Sequence, residues 1–124
     1  MKPVRATLAP QELEIMKVVW SRRSATVRDV YEELRARRRI AYTTVMTTMN
    51  ILERKGHLKK RAAGRPYVYQ PARPKRQVVG AMVRDFVDRL FGGSAEPLLV
   101  QLVQDRRLTE RDLADLARRI RRTR

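Results

Sequence analysis

The 124-residue chain has no cysteine and a single histidine, His57. Disulfides and thiolate metal sites are thereby excluded, and one imidazole cannot hold a metal unaided. No nucleophile elbow or phosphate-cradling glycine loop occurs either. At the helix-to-strand junction where it stands, His57 is expected on the surface rather than as a general base. The carboxylates mostly lie beside arginine on helices. An enzyme is therefore not expected, nor any cofactor or metal. Long apolar runs are missing too. Nothing approaches the roughly 20 residues of a membrane span, and the N-terminal "MKPVRATLAPQELEIM" shows no apolar signal core. The expectation is a soluble, cytoplasmic protein of one ordinary domain, or of a small domain with an appendage.

Acid is also in short supply. Asp plus Glu number 13 against 29 Lys plus Arg, a formal charge of +16. Such an excess favours a polyanionic partner, nucleic acid being the commonest; a surface charged only for solubility is the bland alternative. The distribution separates the two. Residues 54–65 hold Arg54, Lys55, Lys59, Lys60, Arg61 and Arg65 and no acidic residue, whereas 28–39 and 105–122 mix both signs as solvated helix faces do.

What is present reads first as helices. "PQELEIMKVVW" opens with Pro10 at a first helical position and places Leu13, Met16 and Trp20 three and four apart, with Trp20 expected in the core. "TVRD" is a capping box, Thr26 with Asp29, that opens a second helix with Val27, Val30, Tyr31 and Leu34 on its apolar face. From Ile40 to Leu52 come thirteen uncharged residues, in a chain that is 34% charged. At about 100° per residue, Val45, Thr48, Met49 and Leu52 share one side of a third helix. Thr43, Met46, Thr47 and Asn50 collect on the other, with Ile51 on a shoulder and Arg54 extending the row. Threonine is a mediocre helix former, so this face is not there for helix stability. Lys55-Gly56 ends the helix with a left-handed cap. "HLKKRAAGRPYVYQ" then predicts two strands around an "AAGRP" turn.

Three helices and a hairpin is the order of a winged helix-turn-helix, expected over residues 1–72. A helix lying in the major groove needs short polar groups and methyls to reach base edges. Threonine offers a hydroxyl and a methyl, and asparagine pairs bidentately with adenine. Thr43, Met46, Thr47 and Asn50 are therefore the expected base readers. Thr44, Arg54, Lys55, Lys59, Lys60, Arg61 and Arg65 are expected at the DNA backbone.

"PARPKRQ" (71–77) reads as a hinge into a second region, 73–124. There "VVGAMVRDFVDRLF" repeats apolar pairs every four residues and stops at Gly92-Gly93. Ser94 is placed to cap "AEPLLVQLVQ", and Thr109 with Asp112 caps "LTERDLADLARRI", where Leu108 can staple onto Leu113. Three such helices bury too little by themselves. Val83, Phe86, Leu90, Leu98, Leu99, Leu102, Val103, Leu113, Leu116 and Ile120 are accordingly expected to pack in a homodimer. The fold class is mostly α (α+β), a winged helix-turn-helix followed by a three-helix dimerisation region.

"QELEIMKVVW", "TVRDVYEEL", "AYTTVMTTMNILERKGHL", "GRPYVYQP" and "FVDRLFGGSAEPLLVQLVQDRRLTERDLADL" follow one another over residues 8–122 as in the penicillinase and methicillin-resistance repressors, a family this chain resembles. The resemblance implies a winged-helix homodimer that represses transcription from palindromic double-stranded DNA operators. It also implies relief by proteolysis, begun by a membrane-bound β-lactam sensor. Better-known members are cut between an Asn and a Phe; Gln101 and Leu102 stand there in this chain. They also carry Arg where this chain has Met46 and Ile51. The cysteine-rich metal motif of a copper-responsive branch has no counterpart here. Two rival readings are a basic RNA-binding or ribosome-associated protein, which usually exposes aromatics for stacking, and an adaptor that works through its C-terminal helices.

Overall fold

A computed structural model describes residues 8–61 and 64–123. Ala62 and Ala63 of the expected hairpin turn, and the N-terminal residues 1–7, lie outside them. Among the described residues the order is α1 (Pro10–Arg22), α2 (Val27–Arg35), α3 (Tyr42–Arg54), β1 (Leu58–Arg61), β2 (Val68–Pro71), α4 (Lys75–Phe91), α5 (Glu96–Gln104) and α6 (Glu110–Arg122). The chain is thus mostly helical, with one antiparallel hairpin whose register pairs Leu58 with Pro71 and Lys60 with Tyr69. No helix among the described residues is long and apolar enough to cross a membrane.

Local chemistry sets the helix ends. Thr26 and Asp29 exchange backbone–side-chain hydrogen bonds of 3.0 Å each way at the start of α2, satisfying two otherwise open N–H groups. At the end of α3, Gly56 takes φ 87°. Its N–H bonds the Glu53 carbonyl at 3.0 Å, and the His57 N–H bonds the Leu52 carbonyl at 2.9 Å. This is a Schellman turn.

That turn corrects the placement of His57. Far from lying on the surface, the imidazole is 1% exposed. The residue two places beyond a Schellman-ended helix turns back onto its last full turn, so the side chain at this position is directed inward. The backbone fixes it there: its carbonyl accepts from the Ala72 N–H at 2.9 Å.

Two compact units divide within α4, between Met82 and Val83; the expected hinge at 71–77 instead runs into the first turn of that helix, which begins at Lys75. In the first unit, Ile15, Met16 and Val19 of α1 join Val30 and Leu34 of α2 and Val45, Met49 and Leu52 of α3 in one buried cluster. Leu58, Tyr69 and Val78 close it. Each buried Leu, Ile or Met side chain contributes about 1.5–3 kcal/mol. Trp20 packs against the cluster half-buried, and its indole N–H donates to the Arg73 carbonyl at 3.2 Å. Thr48, on the inner side of α3, is 7% exposed and accepts from Gln11 Nε2 at 3.1 Å. Beside Tyr69, a single residue between α1 and α2 extends the hairpin: Ala25 and Tyr69 exchange N–H···O bonds of 3.0 and 2.9 Å.

In the second unit, Gly92 (φ 61°) and Gly93 (φ 90°) end α4 as expected. Thr109 and Asp112 form the expected capping box of α6, with both bonds at 3.0 Å. Ser94 does not cap α5. The N-cap is Ala95, with no side-chain bond. Pro97 in the first turn removes one of the N–H groups that a capping hydroxyl would have served. Neither α5 nor α6 has a buried residue, and Leu90 and Ile120 are 64% and 58% exposed.

Candidate nucleic-acid interface

Helix α3 is positioned by its apolar side. With Val45, Met49 and Leu52 fully buried, the residues half a turn away must face outward. Thr43, Met46 and Thr47 are exposed and Thr44 is half-buried. Asn50 is half-buried, and its Oδ1 accepts from the Tyr69 hydroxyl at 3.0 Å. Arg54 continues the row, exposed. At the other end the N-cap is Ala41, and no acidic side chain occupies the first turn. The Thr44 N–H bonds the Ala41 carbonyl at 3.1 Å, so the N–H groups before it and the partial positive charge of the helix end are left for an anion.

Beside this face runs a groove of about 440 Å³, bounded by the start of α2, by α3 and by the hairpin. Arg28, Lys60 and Arg65 line it together with Tyr42, Met46, Asn50 and Tyr67. The Arg28 guanidinium stands 5.2 Å from the Tyr42 ring centroid, and Tyr42 meets Tyr31 edge to face at 5.4 Å. Lys60 Nζ is 4.6 Å from the Tyr67 ring and Arg65 is 5.8 Å from it. Such contacts hold long cationic side chains in place at about 0.5–1 kcal/mol each when exposed.

The expected backbone-contacting cations are not equivalent. Along β1 the side chains alternate, with Leu58 buried, Lys60 half-buried and Lys59 and Arg61 exposed. Lys60 thus shares a side with Tyr69 and the groove, while Lys59 and Arg61 project from the other side of the hairpin. Lys55 is tied 2.7 Å from Glu12, which is 7% exposed. Burial pushes the Glu12 carboxyl up, but the Lys55 ammonium, the Ala9 N–H and the charge of His57 outweigh it and hold the group below its ordinary value. Lys60 also approaches Glu53 at 3.6 Å. Among the described residues Arg54, Lys59, Arg61 and Arg65 form no ion pair.

Neither Arg28 nor Tyr67, both lining the groove, is marked as a DNA contact by the sequence. Arg28 sits in an ordinary capping box, and Tyr67 reads as a strand residue. Only the crossing of α2 over α3 and the fold of the hairpin bring them beside Met46 and Asn50. In the second unit, Val83, Phe86, Leu90, Leu99, Leu116 and Ile120 are exposed, and Leu98, Leu102, Val103 and Leu113 are half-buried. Gln101 and Leu102 lie inside α5, where the Gln101 side chain donates to Asp105 at 3.0 Å. No group of His, Asp or Glu among the described residues is arranged to hold a metal.

Known proteins share both the sequence and the winged-helix fold. The transcriptional regulator BlaI of Mycobacterium tuberculosis is 37% identical over 99 residues, 78% of this chain and 72% of the relative. The solution structure of the DNA-binding domain of the repressor BlaI superposes with a TM-score of 0.53 at 32% identity, covering 60% of this chain and 90% of that one. The monomeric form of Bacillus licheniformis BlaI, solved in complex with the blaP half-operator, gives 0.51 at the same identity and coverage. The sequence pattern that defines the penicillinase repressors matches residues 8–122, and with this continuous match the chain belongs to the penicillinase repressor family.

Proposed function

We propose that the protein is a sequence-specific transcriptional repressor that binds a palindromic double-stranded DNA operator as a homodimer. The observation that carries this reading is the face of α3. Thr43, Met46 and Thr47 are exposed and uncharged in a chain of net charge +16, while Arg28, Arg54, Lys60 and Arg65 surround them. Short polar and apolar side chains suit base edges in the major groove, and cations on the flanks suit the phosphates. That a relative was solved on a half-operator supports the same docking here.

The second unit supplies the pairing. Exposed Val83, Phe86, Leu90 and Ile120 are too many large apolar groups to leave in water, and a two-fold axis buries each of them against the partner subunit. Two linked half-sites bind far more tightly than one, so breaking the dimer releases the operator. Cutting the C-terminal unit is then a route to derepression, consistent with a membrane-bound sensor protease acting directly or through another enzyme. The bond Gln101–Leu102 lies within a nine-residue helix. So short a helix is marginal by itself, and its opening would expose the chain to a protease.

The test is a gel shift with duplex DNA from upstream of the protein's own gene, carrying any inverted repeat found there, against random duplex and structured RNA as competitors. Retention on the inverted repeat at a hundredfold excess of either competitor is expected. Equal competition by structured RNA would replace this reading with an RNA-binding one.

A further inference from the structure

The hydrogen bond between α3 and the hairpin bears on which base the protein reads. Asn50 is the one side chain in the outward row of α3 with both a donor and an acceptor on the same planar group. Adenine recognition uses both at once, the amide oxygen accepting from N6 and the nitrogen donating to N7. Here the oxygen is already turned toward the protein: Tyr69 donates its hydroxyl to Asn50 Oδ1 at 3.0 Å.

Tyr69 is not free to follow Asn50 outward. It is 3% exposed, lies in the core cluster, and is held along its backbone by the two bonds to Ala25. With Oδ1 directed at a buried hydroxyl, Nδ2 is the end of the amide that faces the groove. That end presents two N–H donors and no acceptor.

We infer that Tyr69 fixes Asn50 as a hydrogen-bond donor, so that Asn50 selects guanine, whose N7 and O6 both accept, over adenine. This rests on the DNA-reading role proposed above and names the specificity of that same site. Thymine O4 offers one acceptor and ranks second. Cytosine presents only its N4 donor toward the groove and is read worst. Tyr69 thus acts on the base through Asn50, as a positioning residue. Met46, one turn earlier on the same face and 39% exposed, has no polar group that could supply this preference instead.

The experiment selects binding duplexes from a randomised library with the full-length protein, with Asn50→Ala and with Tyr69→Phe. The position read by Asn50 is the one whose preference disappears in Asn50→Ala. The wild type is expected to favour guanine there. Tyr69→Phe leaves Oδ1 without its partner and lets the amide turn over, so the preference for guanine over adenine should shrink by about fivefold, the worth of one neutral hydrogen bond. A second measurement needs no variant. Replacing that guanine by 7-deazaguanine removes N7 and should weaken the wild-type complex by a similar factor. An adenine preference in the wild type, identical profiles for wild type and Tyr69→Phe, indifference to 7-deazaguanine, or no position altered by Asn50→Ala would each overturn the inference and leave the repressor reading standing. If no duplex is enriched at all, the repressor reading falls and this one with it.

Discussion

Lys59 and Lys60 are neighbours in the chain and project from opposite sides of the hairpin, which makes them a sharp pair for testing how DNA is held. Lys60 borders the groove beside α3 with Arg28 and Arg65, and Arg54 ends the outward row of the helix. Taking these four as phosphate contacts gives eight in a dimer, so the log–log salt slope should be about −7.2 at about −0.9 per phosphate. Each doubling of salt would then weaken binding by about 150-fold. Lys60→Ala removes two contacts per dimer and should flatten the slope to about −5.4, or about 40-fold per doubling. It should do so on preferred and random duplexes alike, since phosphates carry no sequence. Lys59→Ala should leave the slope where it was. Fluorescence-anisotropy titrations at four or five salt concentrations would measure all three slopes. If Lys59→Ala flattens the slope as much as Lys60→Ala, the assignment of sides is wrong; a wild-type slope of about −2 would mean that the hairpin does not approach the phosphates.

Thr47→Ala should cost about 1–3 kcal/mol on the preferred duplex and much less on random DNA. Thr48→Ala, which removes the buried acceptor of Gln11, should instead lower urea-unfolding stability by about 1 kcal/mol and spare the specificity ratio. The carboxyl of Glu12 is held below its ordinary value of 4.5. Its contribution is therefore complete above that value and is lost as pH falls through the lower folded one. Acid unfolding of Glu12→Gln should accordingly be flatter than wild type below pH 4.5, and superposable curves would contradict the sign. Val78 is buried in the first unit and Met82 packs against its core, so a fragment 1–82 should fold and sediment as a monomer while the full chain sediments as a dimer. Two monomers, or two equally stable dimers, would remove the C-terminal pairing.

Much of this was legible in the residues, for a reason that can be named. The capping boxes at Thr26 and Thr109, the glycine after α3 and the buried side of that helix are patterns within a few residues, where backbone geometry leaves few alternatives. The faces of α3 followed from one periodicity. What escaped depends on pairs far apart in the chain: Lys55 with Glu12 across 43 residues, and Asn50 with Tyr69 across 19. Nothing local marks either pair. His57 was missed differently. Residue type sends a histidine to the surface, but position decides, and the second residue past the helix points inward whether or not it is apolar.

The short bridge from Ala25 to Tyr69 has a mechanical meaning. One residue of the hairpin is gripped through its backbone by the segment between α1 and α2, and through its side chain by α3. A helix that rolls by a single residue turns by about 100°, which would carry Asn50 out of reach of the hydroxyl. The contact therefore acts as a detent on rotation. It indexes the azimuth of α3 against the rest of the first unit, so that the same four side chains face outward each time the chain folds.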